Sequence, residues 1–204
     1  MSIRLPCFQP SGRVSVDKNS FVNIALACCS KLLFISLGFD MKFSEIKKNN
    51  IAPFETKDND LSLLFSFFLH KAPTINSNLA IKGQKNDKKW NEFIKNWKDD
   101  TYRFYSSKFP DDKVLEKYKL SNNVKLVNRD RAFLCLKTNK ESDYKCFVRH
   151  LRNSIAHGYV YAKNTTNRIY LLFEDYNKNL NLTAIILVSK KDLIKLRTEI
   201  KRDI

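Results

Sequence analysis

An arginine and a histidine five residues apart, on one helical stretch, are the residues of this chain best suited to acid–base chemistry on a phosphate. The stretch runs Cys146-Phe147-Val148-Arg149-His150-Leu151-Arg152-Asn153-Ser154-Ile155-Ala156-His157-Gly158-Tyr159 and holds two of the chain's three histidines. Imidazole titrates near neutrality and can serve as general base or acid. A guanidinium grips phosphate through two oxygens and stabilises charge that develops in a transition state. Asn153 can bond a phosphate or fix an imidazole tautomer. No cluster of acidic residues accompanies them, which argues against a two-metal nuclease. Metal-free cleavage needs a nucleophile within the substrate, and RNA supplies its 2′-hydroxyl. The chemistry therefore points to RNA rather than DNA.

On a helix of about 100° per residue, Tyr144, Phe147, Val148, Leu151 and Ile155 fall within one apolar arc. Arg149, His150, Arg152, Asn153, His157, Cys146 and Ala156 project to the other side. Arg149, His150 and Asn153 are thus candidates for phosphate binding or for support of the pair. Arg152 and His157 diverge by about 140° on their own helix, so one copy presents half of a site and a second copy facing it would complete the other half. The bare Arg-x4-His pair is a weak signal. Its context strengthens it: Asn after the Arg, Gly after the His, an amphipathic helix and a basic chain.

Arg152-Asn153-Ser154-Ile155-Ala156-His157, followed by Gly158, resembles the Arg-[polar]-x3-His signature of the HEPN superfamily. The wider phrase LRNSIAHG is similar to that of many bacterial defence and toxin members. The resemblance implies a helical bundle that dimerises and brings two Arg–His motifs into one composite cleft. It implies a metal-independent endoribonuclease of toxin–antitoxin or anti-phage defence type, without a cofactor, with His157 as acid/base and Arg152 on the scissile phosphate. RNA is then the partner, and an antitoxin or other regulatory protein is a further one. Tyr159 matches the Arg-x4-His-x-Tyr form of toxins paired with a nucleotidyltransferase antitoxin, where the tyrosine is modified; a packed or interface tyrosine is the other reading. The alternative to a nuclease is a non-catalytic HEPN module that binds RNA or a partner protein. A third reading makes the helix a cationic interface for an acidic protein.

The composition must allow such a site to be built. The 204 residues suit a single domain. Apolar content of 43% supports a core, and four glycines and five prolines are few for a sandwich or barrel. The fold class expected is mainly α: a HEPN-like helical bundle over 17–158, then a small β-hairpin and a C-terminal helix over 168–204. A net charge of +16 points to a polyanionic partner. The five cysteines, Cys7, Cys28, Cys29, Cys135 and Cys146, include no Cys-x-x-Cys pair. Neither a disulfide framework nor a zinc site fits them, and a reducing, cytoplasmic setting is expected. Residues 1–19 lack a signal-peptide pattern. Phe21 to Leu37 reads as a buried helix rather than a membrane span, because Lys31 near its middle would cost about 2.5–3.5 kcal/mol in a bilayer.

Further along, Phe43 to Lys48 predicts a short turn of helix. Asn59 or Asp60 is placed to cap a core helix over 61–70, which leaves His70 at its end as a cap or surface residue. Residues 71–87 read as a loop. Lys88 to Phe109 predicts a helix with Trp90, Phe93, Ile94 and Trp97 on one face; those aromatics suit a core more than a base-stacking platform. A further helix is expected over 110–119, and Ser142 is placed to cap the key helix. Arg168 to Tyr176 and Asn181 to Ser189, rich in β-branched and aromatic residues around Asn177-Lys178-Asn179, predict a hairpin. Lys190 to Ile204 returns to helix.

Overall fold

The computed structural model describes residues 41–53, 55–71, 83–127, 130–166 and 168–201. The helix expected over 21–37, and Cys7, Cys28 and Cys29, lie outside them. The described chain opens with β1 (Met41–Lys42) and α1 (Phe43–Lys47). Next comes α2 (Asn59–Ser66), whose last turn widens into a π-helical turn at Phe67–Lys71 that includes an exposed His70. It is followed by α3 (Gly83–Ile94), a 3-10 turn (Asp99–Thr101), β2 (Tyr102–Tyr105), α4 (Asp112–Lys117), β3 (Lys125–Leu126) and β4 (Ala132–Leu136). The last third holds α5 (Asp143–Ala156), β5 (Val160–Asn164), β6 (Ile169–Tyr176), β7 (Leu182–Ser189) and α6 (Lys190–Lys201).

Five of the strands form one mixed sheet in the order β2-β4-β7-β6-β5, and β1 pairs with β3 in a small second sheet. Only the β2–β4 pairing in the larger sheet is parallel. This overturns the mainly α expectation. The hairpin and terminal helix are present, but β6 and β7 are no small extension: they are the centre of the sheet on which the helices rest. The physical reason lies in short apolar runs. Ala132-Phe133-Leu134-Cys135-Leu136 is buried nearly throughout, and a continuous apolar run of that length fits a strand covered on both faces as well as it fits a helix. The helix expected over 88–109 likewise stops at Ile94, and Tyr102–Tyr105 pairs with β4 instead. Gly83 to Asp87, read as loop, begins that helix.

Strand alternation divides the core in two. One face, with Phe133, Cys135, Leu171, Phe173, Ala184, Ile186 and Val188, packs with α2, α3, α5 and α6. The other, with Ala132, Leu134, Tyr170, Leu172, Ile185 and Leu187, packs with Met41, Phe43, Ile46, Tyr118 and Leu126. On the first face Phe147 of α5 meets Phe133 at 4.9 Å and Trp90 at 5.2 Å between ring centroids. Trp90 and Phe93 of α3, and Trp97 just beyond its end, are buried, so these aromatics serve the core. Among the described residues no helix is long and apolar enough to cross a membrane.

Candidate functional site at the end of helix α5

Helix α5 is set by signals at both ends. Ser142 caps its start, accepting from the Lys145 N–H at 3.4 Å. At its other end His157 is the C-cap, and Gly158 follows with φ +74. Gly158 N–H donates to the Ile155 carbonyl at 3.3 Å and Tyr159 N–H to the Ser154 carbonyl at 2.9 Å. Those two bonds make a Schellman close, which needs a left-handed residue and therefore favours glycine. The Asn50 side chain donates to the Gly158 carbonyl at 2.9 Å and ties the turn to the first strand region. The glycine after the motif histidine thus has a structural role, since it closes the helix at His157, its C-cap, and leaves that imidazole at the rim.

The apolar arc is buried as expected: Tyr144, Phe147, Val148, Leu151 and Ile155 are all within the core. The polar side is not uniform. Cys146 and His150, projected onto it, are also buried, His150 with 1% of its surface exposed. The reason is β6, which crosses beneath this side of α5 and brings Asp175 to His150. The His150 Nδ1–H donates to Asp175 Oδ2 at 2.6 Å, and Nε2 lies 2.8 Å from the Leu136 carbonyl and 3.2 Å from Arg149 Nη2. Asp175 is an acceptor and fixes a proton on Nδ1, while Nε2 faces an acceptor and a donor at once. Burial alone would depress its pKa, but the bonds to Asp175 and Cys146 outweigh it and hold it at about 8.

Arg149 and Asn153 join the same network. Arg149 makes a bidentate pair with Glu141, Nε to Oε1 and Nη2 to Oε2, each at 2.8 Å, and Nη2 also donates to the Leu136 carbonyl at 3.0 Å. Glu141 further accepts from Thr138 N–H at 3.0 Å. Although burial opposes it, Arg149 and Thr138 keep the Glu141 carboxyl below its ordinary range. Asn153 Nδ2 donates to Asp175 Oδ2 at 3.1 Å. Cys146 and the buried Cys135 are free thiols in contact behind this network; the Cys135 bond draws the Cys146 pKa down, and burial pushes Cys135 up.

Arg152 and His157 stand apart from all this. Both are exposed, and neither side chain has a hydrogen bond or ion pair among the described residues. Tyr159 is half-buried, its ring edge-on to Tyr176 at 4.9 Å, which matches the packed reading of that residue. Of the residues singled out in the sequence, the fold therefore gathers Arg149, His150 and Asn153 into a support beneath the helix and leaves Arg152 and His157 at the surface. The supporting residues that sequence reasoning missed are Asp175, Glu141 and the Leu136 carbonyl. One signal existed: Glu174-Asp175 ends the apolar strand Ile169–Tyr176, and carboxylates buried in such a strand need partners. Among the described residues no group of three or more His, Cys, Asp or Glu is placed to hold a metal ion.

No curated protein and no solved structure matches the chain. The family model for HEPN pEK499 p136 matches residues 21–204, the whole of the described fold and the Arg152–His157 motif included, and the chain belongs to that HEPN family.

Proposed function

We propose that this HEPN protein is a metal-independent endoribonuclease of bacterial toxin or anti-phage defence type. The 2′-hydroxyl of RNA attacks the adjacent phosphorus, His157 takes or gives the proton, and Arg152 holds the phosphate oxygens as charge builds on them. The leaving 5′-hydroxyl departs with a proton, and the other product carries a 2′,3′-cyclic phosphate. Two copies of α5 face each other, so that the Arg152 of one and the His157 of the other share a phosphate.

The observation that carries this reading is the contrast along one helix. Arg149, His150 and Asn153 are each committed to an internal partner, whereas the two residues of the HEPN motif are exposed with their hydrogen-bonding groups open. A folding role would consume those groups; a ligand-binding role requires them free. The experiment is RNA cleavage by the purified chain in EDTA. Wild type should cut and leave 2′,3′-cyclic ends, and Arg152→Ala and His157→Ala should fold without cutting. RNA binding without cleavage by wild type would instead favour a non-catalytic HEPN module.

A further inference from the structure

A cleft of about 700 Å³ opens at the opposite end of the sheet, where β4 and β6 begin and β7 ends. Its wall carries Lys98, Lys117, Lys119, Arg131 and Arg168, with Asp100 and Asp130 as the carboxylates. Arg168 precedes β6 and Asp175 lies near its other end, seven residues on, so the cleft lies ~23 Å along the strand from the α5 network. It also opens on the other face of the sheet, beside Ala132, Tyr118 and Leu187.

The cations of this cleft fall into two kinds. Arg131 and Arg168 are fixed: Arg131 Nη1 lies 3.0 Å from Asp192 Oδ1 and Arg168 Nη2 3.2 Å from Asp192 Oδ2. Asp192 is buried and also takes the Ser189 N–H at 2.9 Å and hydroxyl at 2.7 Å. Arg131 is further held by the Asn96 carbonyl at 2.6 Å and lies 4.4 Å from the centre of the Trp97 ring. One carboxylate thus orients two guanidinium groups and neutralises only one of them, while each fork keeps further N–H donors. Lys119 is matched by Asp130 at 3.0 Å. Lys98 and Lys117 are the second kind, with no partner among the described residues. The cleft therefore combines preorganised guanidinium forks, free ammonium groups and a surplus of positive charge, the equipment by which proteins hold phosphate. Tyr118 and the half-exposed Val127 add an apolar wall, and the volume suits a ligand of nucleotide size.

We infer that this cleft is a second binding site, which takes the phosphates of a nucleotide, either free or within an RNA strand. Arg131 and Arg168 receive the phosphate oxygens, Lys98 and Lys117 close over them, and Tyr118 with Val127 borders the base. The site stands whether or not Arg152 and His157 cut RNA.

Calorimetric titration of the full chain at low salt tests it, with three probes: a nucleoside triphosphate, a 5′-phosphorylated RNA dinucleotide and inorganic phosphate. Wild type should bind at least one nucleotide probe with one site per chain. Lys98→Ala/Lys117→Ala, two exposed residues, should keep the fold and weaken binding at least tenfold, while Lys57→Ala/Lys178→Ala, which removes the same charge at exposed positions outside the cleft and α5, should bind as wild type does. Preference for the triphosphate identifies a free nucleotide as the source, and preference for the dinucleotide identifies the RNA chain. No nucleotide binding by wild type, binding by the lysine variant within twofold of wild type, or phosphate bound as tightly as either nucleotide, would each overturn the assignment. Cleavage activity is not the readout, so loss of the nuclease reading and loss of this one are separate results.

Discussion

His150 is buried against the Asp175 carboxylate, and its titration has a measurable consequence. Its folded pKa of about 8 lies above the ordinary value of 6.5. A group raised in this way stabilises the fold fully below about pH 6.5 and loses that contribution as pH rises through about 8. The size is about 2 kcal/mol. Glu141 has the opposite sign: its carboxyl is lowered, so its contribution is present above the ordinary value of 4.5 and disappears as pH falls below it. Denaturant titrations across pH should show a plateau between these limits and a fall on both sides. A stability that stays flat from pH 7 to 9 would contradict the raised His150 pKa. His150→Gln should abolish the alkaline limb and cost about 3–5 kcal/mol, because Asp175 is left buried without its cation. Nothing in the helical period could have shown this. The projection puts His150 on the polar side correctly, but its partner, 25 residues on, is supplied by a strand.

At the scale of elements, the close of α5 is where sequence and site meet. Gly158 holds φ +74 with open space around the position a Cβ would take, so a substitution there strains the backbone without a clash. Gly158→Ala should cost about 1–2 kcal/mol and turn the His157 rim out of register, lowering cleavage more than the same loss of stability placed elsewhere. Ser142→Ala, at the other end, should cost about 1 kcal/mol and leave cleavage by the remaining folded protein unchanged. Melting temperatures with single-turnover rates separate the two cases. The ends of α5, its buried arc, the hairpin and the terminal helix were legible because each carries its own local chemistry: a capping serine, a glycine stop, β-branched runs around Asn177-Lys178-Asn179. The start of α2 lies two residues before the expected 61, since Asp58 rather than Asn59 or Asp60 caps it, accepting from Asp60 and Leu61 N–H groups at 3.0 and 3.1 Å. Strands β2 and β4 were not legible. Tyr102–Tyr105 follows closely on a tryptophan-rich helix and continues its apolar spacing by chance, and the Phe133–Leu136 run has no period to distinguish strand from helix. Their state is decided by pairing with each other and with β7, which is tertiary information.

Over the whole molecule the charge of +16 makes the proposed RNA binding salt-dependent. RNA affinity, measured on Arg152→Ala to prevent turnover, should fall at least tenfold between about 50 and 200 mM salt. An affinity indifferent to salt would remove the electrostatic basis of the account. The composite site makes a second demand. If Arg152 of one copy works with His157 of another, mixing inactive Arg152→Ala and inactive His157→Ala chains should restore part of the cleavage through mixed dimers; no recovery would confine the site to one copy. The central claim, that the exposed Arg152–His157 edge of this HEPN protein cuts RNA without metal, is tested most directly by single-turnover cleavage in EDTA with analysis of the ends. The account predicts 2′,3′-cyclic phosphate ends from wild type and a rate at least 100-fold lower for either variant, the order expected from loss of a general acid–base or of an oxyanion-stabilising group. Cleavage by Arg152→Ala and His157→Ala at the wild-type rate would contradict it.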